Sequence, residues 1–323
     1  MKDELSLEEI DKTRHRLGDR VVTTPALHWQ GSELQRAIGD DTEVFVKLEL
    51  FQRTGTFKAR GAMNVMMQLT SEQLARGITA VSAGNHAIAA AYCAHELGTS
   101  ARIFMPKTAR PFRIARARAY DADITLCDTQ PEMFELAERA KTEQGRTFVH
   151  PFEGPLTAQG TATAGLEFTR QVPELDAMIL PIGGGGLCAG FSAALKQVWP
   201  KVRIYGVEPE GANTMFLSFE RGEPVSKEAV SSIADSLAPP MATPYTYSVC
   251  RELLEEIVLI SDEQMRDAMR TVFYDLKLAV EPAGVASTAA LLGPLRERLS
   301  GQRVGVITCG SNIDIADFCR LAG

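Results

Sequence analysis

A doubly wound α/β fold is predicted by three observations on this 323-residue sequence. Short β-rich runs alternate with longer stretches whose apolar residues recur at helical spacing, the pattern of a parallel sheet wrapped by helices. Two of the strand-to-helix turns are built from glycine or small polar residues, as turns that cradle anions are. No internal repeat or low-complexity tract competes with this reading.

The predicted strands are 43–48, 78–81, 101–105, 123–126, 147–149, 177–182, 203–207, 256–260 and 304–308. Helical periodicity is clearest over 134–143 and 262–277. Ser261 and Gln264 stand in the S-x-x-Q spacing of a capping box, which fixes the start of the second. Residues 231–247, with Ala238-Pro239-Pro240 and Thr243-Pro244, are expected to form an ordered loop.

Composition narrows the function classes. A 35.2 kDa chain with 45% apolar and 23% charged residues and a mean hydropathy of -0.06 forms one large or two medium domains and is not disordered. Its 41 acidic residues against 34 basic ones leave a net charge of -7, which argues against a nucleic-acid or anionic-membrane partner and for a small molecule. The cysteines Cys93, Cys127, Cys188, Cys250, Cys309 and Cys319 form no CxxC pair, so neither a zinc knuckle nor a disulfide framework is indicated. The charged first 20 residues lack the apolar stretch of a signal peptide. No run reaches the roughly 18 to 20 apolar residues of a membrane helix. A soluble, cytoplasmic protein is expected.

Four segments carry chemistry. In the run from Lys47 to Ala62, a strand enters a Thr54-Gly55-Thr56 turn, and a helix then begins near Phe57 and Lys58. A lysine just inside a helix start faces the positive end of the dipole, which lowers its pKa toward the neutral amine that Schiff-base chemistry needs. Taken alone, Lys58 also reads as a solvated surface lysine. Ser82-Ala83-Gly84-Asn85-His86 follows an apolar strand and precedes an alanine-rich helix, leaving backbone N–H groups free to hold a carboxylate. A plain helix cap with a surface histidine is the alternative. Gly183-Gly184-Gly185-Gly186-Leu187 lies between a strand and the helical run 188–199, the setting of a phosphate site. Gly184, Gly186 and Ala189 also satisfy a dinucleotide fingerprint, with Glu208 near the place of the ribose-binding acid, but that reading leaves Lys58 and the 82–86 loop unexplained. Cys309, in Thr308-Cys309-Gly310-Ser311-Asn312, closes the last strand, where a buried structural cysteine is the plainer role.

In these motifs, in their order and from Thr24 to Asn312, the chain resembles the pyridoxal-phosphate (PLP) dependent threonine/serine dehydratase and serine racemase family, of the tryptophan synthase β-like fold type II. The resemblance implies two doubly wound α/β domains with the cofactor in the cleft between them. A large PLP-binding domain would comprise 1–76 and 152–323, and a small mobile domain that binds the substrate carboxylate would comprise 77–151. Lys58 is then the lysine that holds PLP and moves the Cα proton, with Phe57 beside it. Ser82, Ala83, Gly84, Asn85 and His86 bind the substrate carboxylate, and Asn85 also contacts the PLP 3-hydroxyl. Gly183, Gly184, Gly185, Gly186 and Leu187 hold the phosphate, Cys309 faces the pyridine nitrogen, and Glu281 and Asn312 lie near the cofactor.

Three departures from the family pattern shape the expected activity. Serine racemases carry a second serine where Ala83 stands, and a methyl group cannot exchange a proton, so elimination is favoured over racemisation. A divalent-cation site would use Glu208, the Ala212 carbonyl and an aspartate, but Thr214 replaces the aspartate; no metal site is expected beyond a weak or monovalent cation at Glu208 and Ala212. Phe134 stands near an arginine of racemase-like relatives and would not pair with a second carboxylate, although it also fits a helix core.

The expected activity is an ammonia-lyase that turns an L-3-hydroxy amino acid (threonine, serine or a bulkier relative such as phenylserine) into a 2-oxo acid and ammonia. The runners-up are 3-hydroxyaspartate dehydratase, serine racemase, a β-replacement synthase and a non-catalytic PLP-binding protein. Relatives are commonly dimers, so a homodimer is expected. The absence of an appended regulatory domain after Asn312 suggests a catabolic or constitutive role.

Overall fold

The computed structural model describes residues 3–323. Its strands are β1 (Ala26–Trp29), β2 (Glu43–Lys47), β3 (Ile78–Val81), β4 (Ala101–Pro106), β5 (Asp123–Cys127), β6 (Thr147–Phe148), β7 (Ala177–Pro181), β8 (Arg203–Pro209), β9 (Glu256–Ile260) and β10 (Arg303–Ile307). One sheet has the order β1-β2-β10-β7-β8-β9 and the other β5-β4-β3-β6. All pairings are parallel except that of β1 with β2. Each strand expected from the sequence is present with its ends within two residues. β1 was not anticipated: it is a four-residue antiparallel edge whose Ala-Leu-His-Trp run buries only Trp29.

Helices cover both faces of each sheet, so the central strands read as unbroken apolar runs. Every residue of β7 is buried, and Val44, Val46, Val304 and Val306 are fully so. Each such side chain stabilises the fold by roughly 1.5–3 kcal/mol. The helix Asn85–Glu96 is apolar on all sides, with Ala87, Ile88, Ala89, Ala90 and Ala91 completely buried.

Two helices differ from expectation. The one expected over 134–143 runs over Gln130–Gln144, because Thr129 Oγ1 caps the Glu132 N–H and Pro131 suits the first turn. The segment 231–247 is a loop only in its first part. Pro244 opens the helix Pro244–Leu253, since its missing N–H costs nothing at a helix start.

The topology positions the site. β2, β10 and β7 are neighbours and run in one direction, so the turns leaving their C-terminal ends lie side by side. The helix Lys58–Met66 is anchored by Arg60, which is fully buried and donates to both oxygens of Glu49 (2.8 and 2.9 Å) and of Glu167 (2.8 and 2.7 Å). Lys47 Nζ adds a bond to Glu167 Oε2 at 2.9 Å. Burial raises the Glu49 carboxyl, but the Arg60 guanidinium overrides it and holds the group below its usual range. The helix Pro155–Gln171 crosses closely: a Cβ on Gly160 would lie 2.5 Å from the Arg60 carbonyl, and one on Gly190 would lie 2.1 Å from the Ala158 carbonyl. Glycine at these two crossings lets one helix clamp the elements bearing Lys58 and Gly186.

Candidate active site

A cavity of about 510 Å³ opens where the two sheets meet, within the range of roughly 300–1,000 Å³ usual for small-molecule sites. Lys58, Ser82, Ala83, Gly84, Asn85, His86 and Gly184 all line it. Phe57 and Gly186 line a smaller space that also touches Lys58 and His86.

Lys58 is the first residue of its helix, and its Nζ donates to the Pro151 carbonyl at 2.7 Å. Burial pushes its pKa down to about 8, against a smaller opposing effect of Cys309. A useful fraction of free amine therefore exists near neutral pH. The Phe57 ring lies 5.2 Å from Nζ.

The 82–86 turn follows β3. Ser82 Oγ accepts the Gly84 N–H at 3.1 Å, while the N–H groups of Ala83, Asn85 and His86 find no acceptor among the described residues and stand at the start of the helix Asn85–Glu96. The Ala83 methyl is exposed to the cavity. His86 is buried at its edge, with Nε2 at 2.8 Å from the Val149 carbonyl; a carbonyl only accepts, so Nε2 carries the proton. Burial, with Lys58 nearby, pushes the His86 pKa down from 6.5 to about 3, so the ring stays neutral. Between those two values the unfolded chain binds a proton that the native state refuses. Stability is thus present above about pH 6.5 and falls as pH drops toward 3, by on the order of 5 kcal/mol. In acid-side denaturant titrations, H86Q should flatten this limb; an unchanged limb would show that His86 is charged in the native state.

The 183–187 turn follows β7. Among the described residues, none of the backbone N–H groups of Gly183 to Leu187 finds an acceptor, although Gly184, Gly185, Gly186 and Leu187 are buried. Gly185 adopts φ +87°, which aims the turn into the helix Gly186–Val198. Phe152 packs so tightly on Gly184 that a Cβ there would lie 2.1 Å from its ring. The result is a row of unpaired donors at a helix start, the surroundings an anionic group requires.

Cys309 lies two residues beyond β10, rather than closing it, and beside the Lys58 helix, since Phe57 N–H donates to its carbonyl at 3.3 Å. Burial, reinforced by Glu281, pushes its thiol well above the usual range, so the group is neutral. Asn85 Nδ2 donates to Glu281 Oε1 (2.7 Å), and Asn312 Nδ2 donates to Asn85 Oδ1 (2.7 Å). Burial raises the Glu281 carboxyl against the pull of Arg113. Glu208 and Ala212 lie outside the cavity. Glu208 is near the end of β8 and Ala212 in the turn after it, ahead of Met215, which packs on Gly185; burial pushes the Glu208 carboxyl up to about 8.

Arg113 is a residue the motifs did not reveal. Its Nη2 meets Glu281 Oε2 and its Nη1 meets Asp235 Oδ2, both at 2.7 Å, while Nε donates to the Asn312 carbonyl at 3.1 Å. One side chain from the helix Pro111–Arg118, between β4 and β5, thereby grips three points beyond the four-stranded sheet. Its signal was an arginine four residues before Ala117, on the buried stripe of a short helix. The wall mixes an apolar stretch of Met133, Phe134, Phe152, Pro239, Pro240 and Met241 with the polar side chains of Thr108, Asp128, Gln130, His150, Asp235 and Ser236.

Comparison with known proteins agrees with this geometry. The family described as pyridoxal-phosphate dependent enzyme matches residues 19–310. A phenylserine dehydratase of Ralstonia pickettii is 47% identical over 317 residues, covering 98% of this chain and 96% of the relative. An L-threonine ammonia-lyase of Geobacter sulfurreducens is 36% identical, covering 95% of this chain and 75% of the relative. Maize serine racemase superposes with a TM-score of 0.90 at 31% identity, covering 97% of each chain. With Lys58, the 82–86 loop and the glycine turn gathered on one cleft, the chain belongs to the pyridoxal-phosphate-dependent enzyme family, in its fold type II branch.

Proposed function

We propose that this protein is a PLP-dependent dehydratase that converts an L-3-hydroxy amino acid with an apolar 3-substituent, as large as a phenyl ring, to a 2-oxo acid and ammonia. The observation that carries the reading is the cavity itself: Lys58, the carboxylate loop and the Ala83 methyl share it with the apolar side chains of Phe134 and Met133. The names of relatives, phenylserine dehydratase and L-threonine ammonia-lyase, support it. We further propose that 77–151 moves as a small domain, and that the chain works as a cytoplasmic homodimer. A reducing cytoplasm suits its six free cysteines.

The residues present fit PLP, because the unpaired N–H groups of Gly183 to Leu187 match a phosphate and the neutral Cys309 thiol suits an unprotonated pyridine nitrogen. When bound, PLP supplies an electron sink that acidifies the Cα–H bond. The N–H groups of Ala83, Asn85 and His86 hold the substrate carboxylate. The free amine of Lys58 removes the Cα proton, and the resulting ammonium gives a proton to the departing 3-hydroxyl, which leaves as water. Ala83 has no proton to deliver to the opposite face of Cα, so the substrate does not invert. Later addition of water and loss of ammonia complete the products.

Phe134→Arg tests the side-chain assignment. The substitution should lower kcat/KM for 3-phenylserine by roughly tenfold to a hundredfold while raising it for 3-hydroxyaspartate, because a cation replaces apolar wall beside a carboxylate. Parallel losses for both substrates would place the substituent elsewhere.

A further inference from the structure

The resemblance that places a divalent cation at Glu208, Ala212 and an acid at position 214 is not matched by the residues of this chain. Thr214 Oγ1 donates to the Pro239 carbonyl at 3.1 Å. Both carboxylate oxygens of Glu208 are occupied, accepting the N–H groups of Met215 (3.0 Å) and Phe216 (2.7 Å). Among the described residues no group of three or more His, Cys, Asp or Glu side chains could hold a metal ion.

An ammonium nevertheless reaches this turn. Lys227 Nζ donates to Asn213 Oδ1 at 2.7 Å. Lys227 belongs to a strap over 225–242, closed by bonds from Ala242 N–H to the Val225 carbonyl (2.9 Å) and from Lys227 N–H to the Pro240 carbonyl (2.7 Å). Ser231 N–H fastens the strap to the Gly211 carbonyl at 3.0 Å. Pro239, Pro240 and Met241, on the same strap, form part of the cavity wall.

We propose that the Lys227 ammonium, through Asn213, provides without a metal the clamp between the strap and the turn after Glu208, and so positions Pro239, Pro240 and Met241 against the substrate. A bound metal stabilises a fold by an amount that grows with the logarithm of its free concentration and is lost to chelators, whereas a tethered ammonium is always present. Lys227 is thus a positioning residue, and the enzyme works without divalent ions.

The test uses the PLP-loaded protein after chelator treatment, titrated with Mg²⁺, Ca²⁺ and Mn²⁺ while melting temperature and 2-oxo acid release are followed. The wild type should respond in neither. K227M should melt lower and show a KM for 3-phenylserine raised roughly tenfold with kcat little changed, and K227R, which keeps the charge, should restore both. A cation-induced rise in melting temperature that E208Q abolishes would overturn the proposal. So would K227M with wild-type melting and KM, or equal losses in K227M and K227R. If K227M does not fold, the wild-type titration decides alone. The KM readout rests on the proposed dehydratase activity and the melting readout does not, so absence of turnover would refute the activity while the clamp is still judged by melting.

Discussion

Lys58→Ala should lower kcat for every accepted 3-hydroxy amino acid by about four orders of magnitude. Two histidines also line the cavity, and neither can substitute. His86 has Nε2 committed to the Val149 carbonyl, and burial holds its pKa at about 3. His150 accepts the N–H groups of Phe152 and Glu153 at Nδ1, and burial holds its pKa at about 4. Lys58 alone titrates near the working range, at about 8. PLP should still bind, since the 183–187 donors are untouched, but its absorbance should lose the band of the lysine-bound form. Capture of PLP by wild-type apoprotein should speed up as pH rises through about 8, because only the neutral amine reacts. Near-normal turnover of the K58A holoenzyme would remove the lysine from the chemistry.

Arg113→Met should destabilise the protein by about 3–5 kcal/mol and lower kcat/KM by roughly a hundredfold. The substitution leaves Glu281, which is 1% exposed, with only Asn85 and Ser236 as polar partners. It also frees the helix Pro111–Arg118 from Asp235 and Asn312. Removing both charges is a different matter, because no buried carboxylate is then stranded. R113M/E281Q should therefore recover most of the stability lost in R113M while remaining slow, since Asn85 loses the carboxylate that orients its amide. Urea denaturation of the two variants and the wild type measures this coupling. Additive losses would mean that Arg113 and Glu281 do not act as a pair.

What could be read from the sequence follows from how each feature is encoded. β7 and β10 were legible because burial on both faces leaves uninterrupted apolar runs. The capping box at Ser261 is a local pattern, and the structure forms it as written, with both reciprocal hydrogen bonds. Lys58, the 82–86 loop and the glycine turn were found because each is a contiguous motif at a strand end, where the topology gathers them onto one cavity. Edge strand β1 was missed because it buries a single side chain and shows no alternation. Arg113 and Lys227 were missed for a different reason. Their partners lie on elements distant in the chain or out of register, Glu281 and Asp235 for the first and Asn213 for the second, and no local spacing announces such pairings.

The most direct test of the central claim is a single reaction of PLP-loaded protein with L-3-phenylserine and, in parallel, L-threonine and L-serine, in which 2-oxo acid, ammonia and the configuration of remaining substrate are quantified together. The account predicts equal amounts of 2-oxo acid and ammonia, fastest release from phenylserine, and no inverted amino acid. Accumulation of the D-enantiomer, or no 2-oxo acid from any of the three, would contradict it.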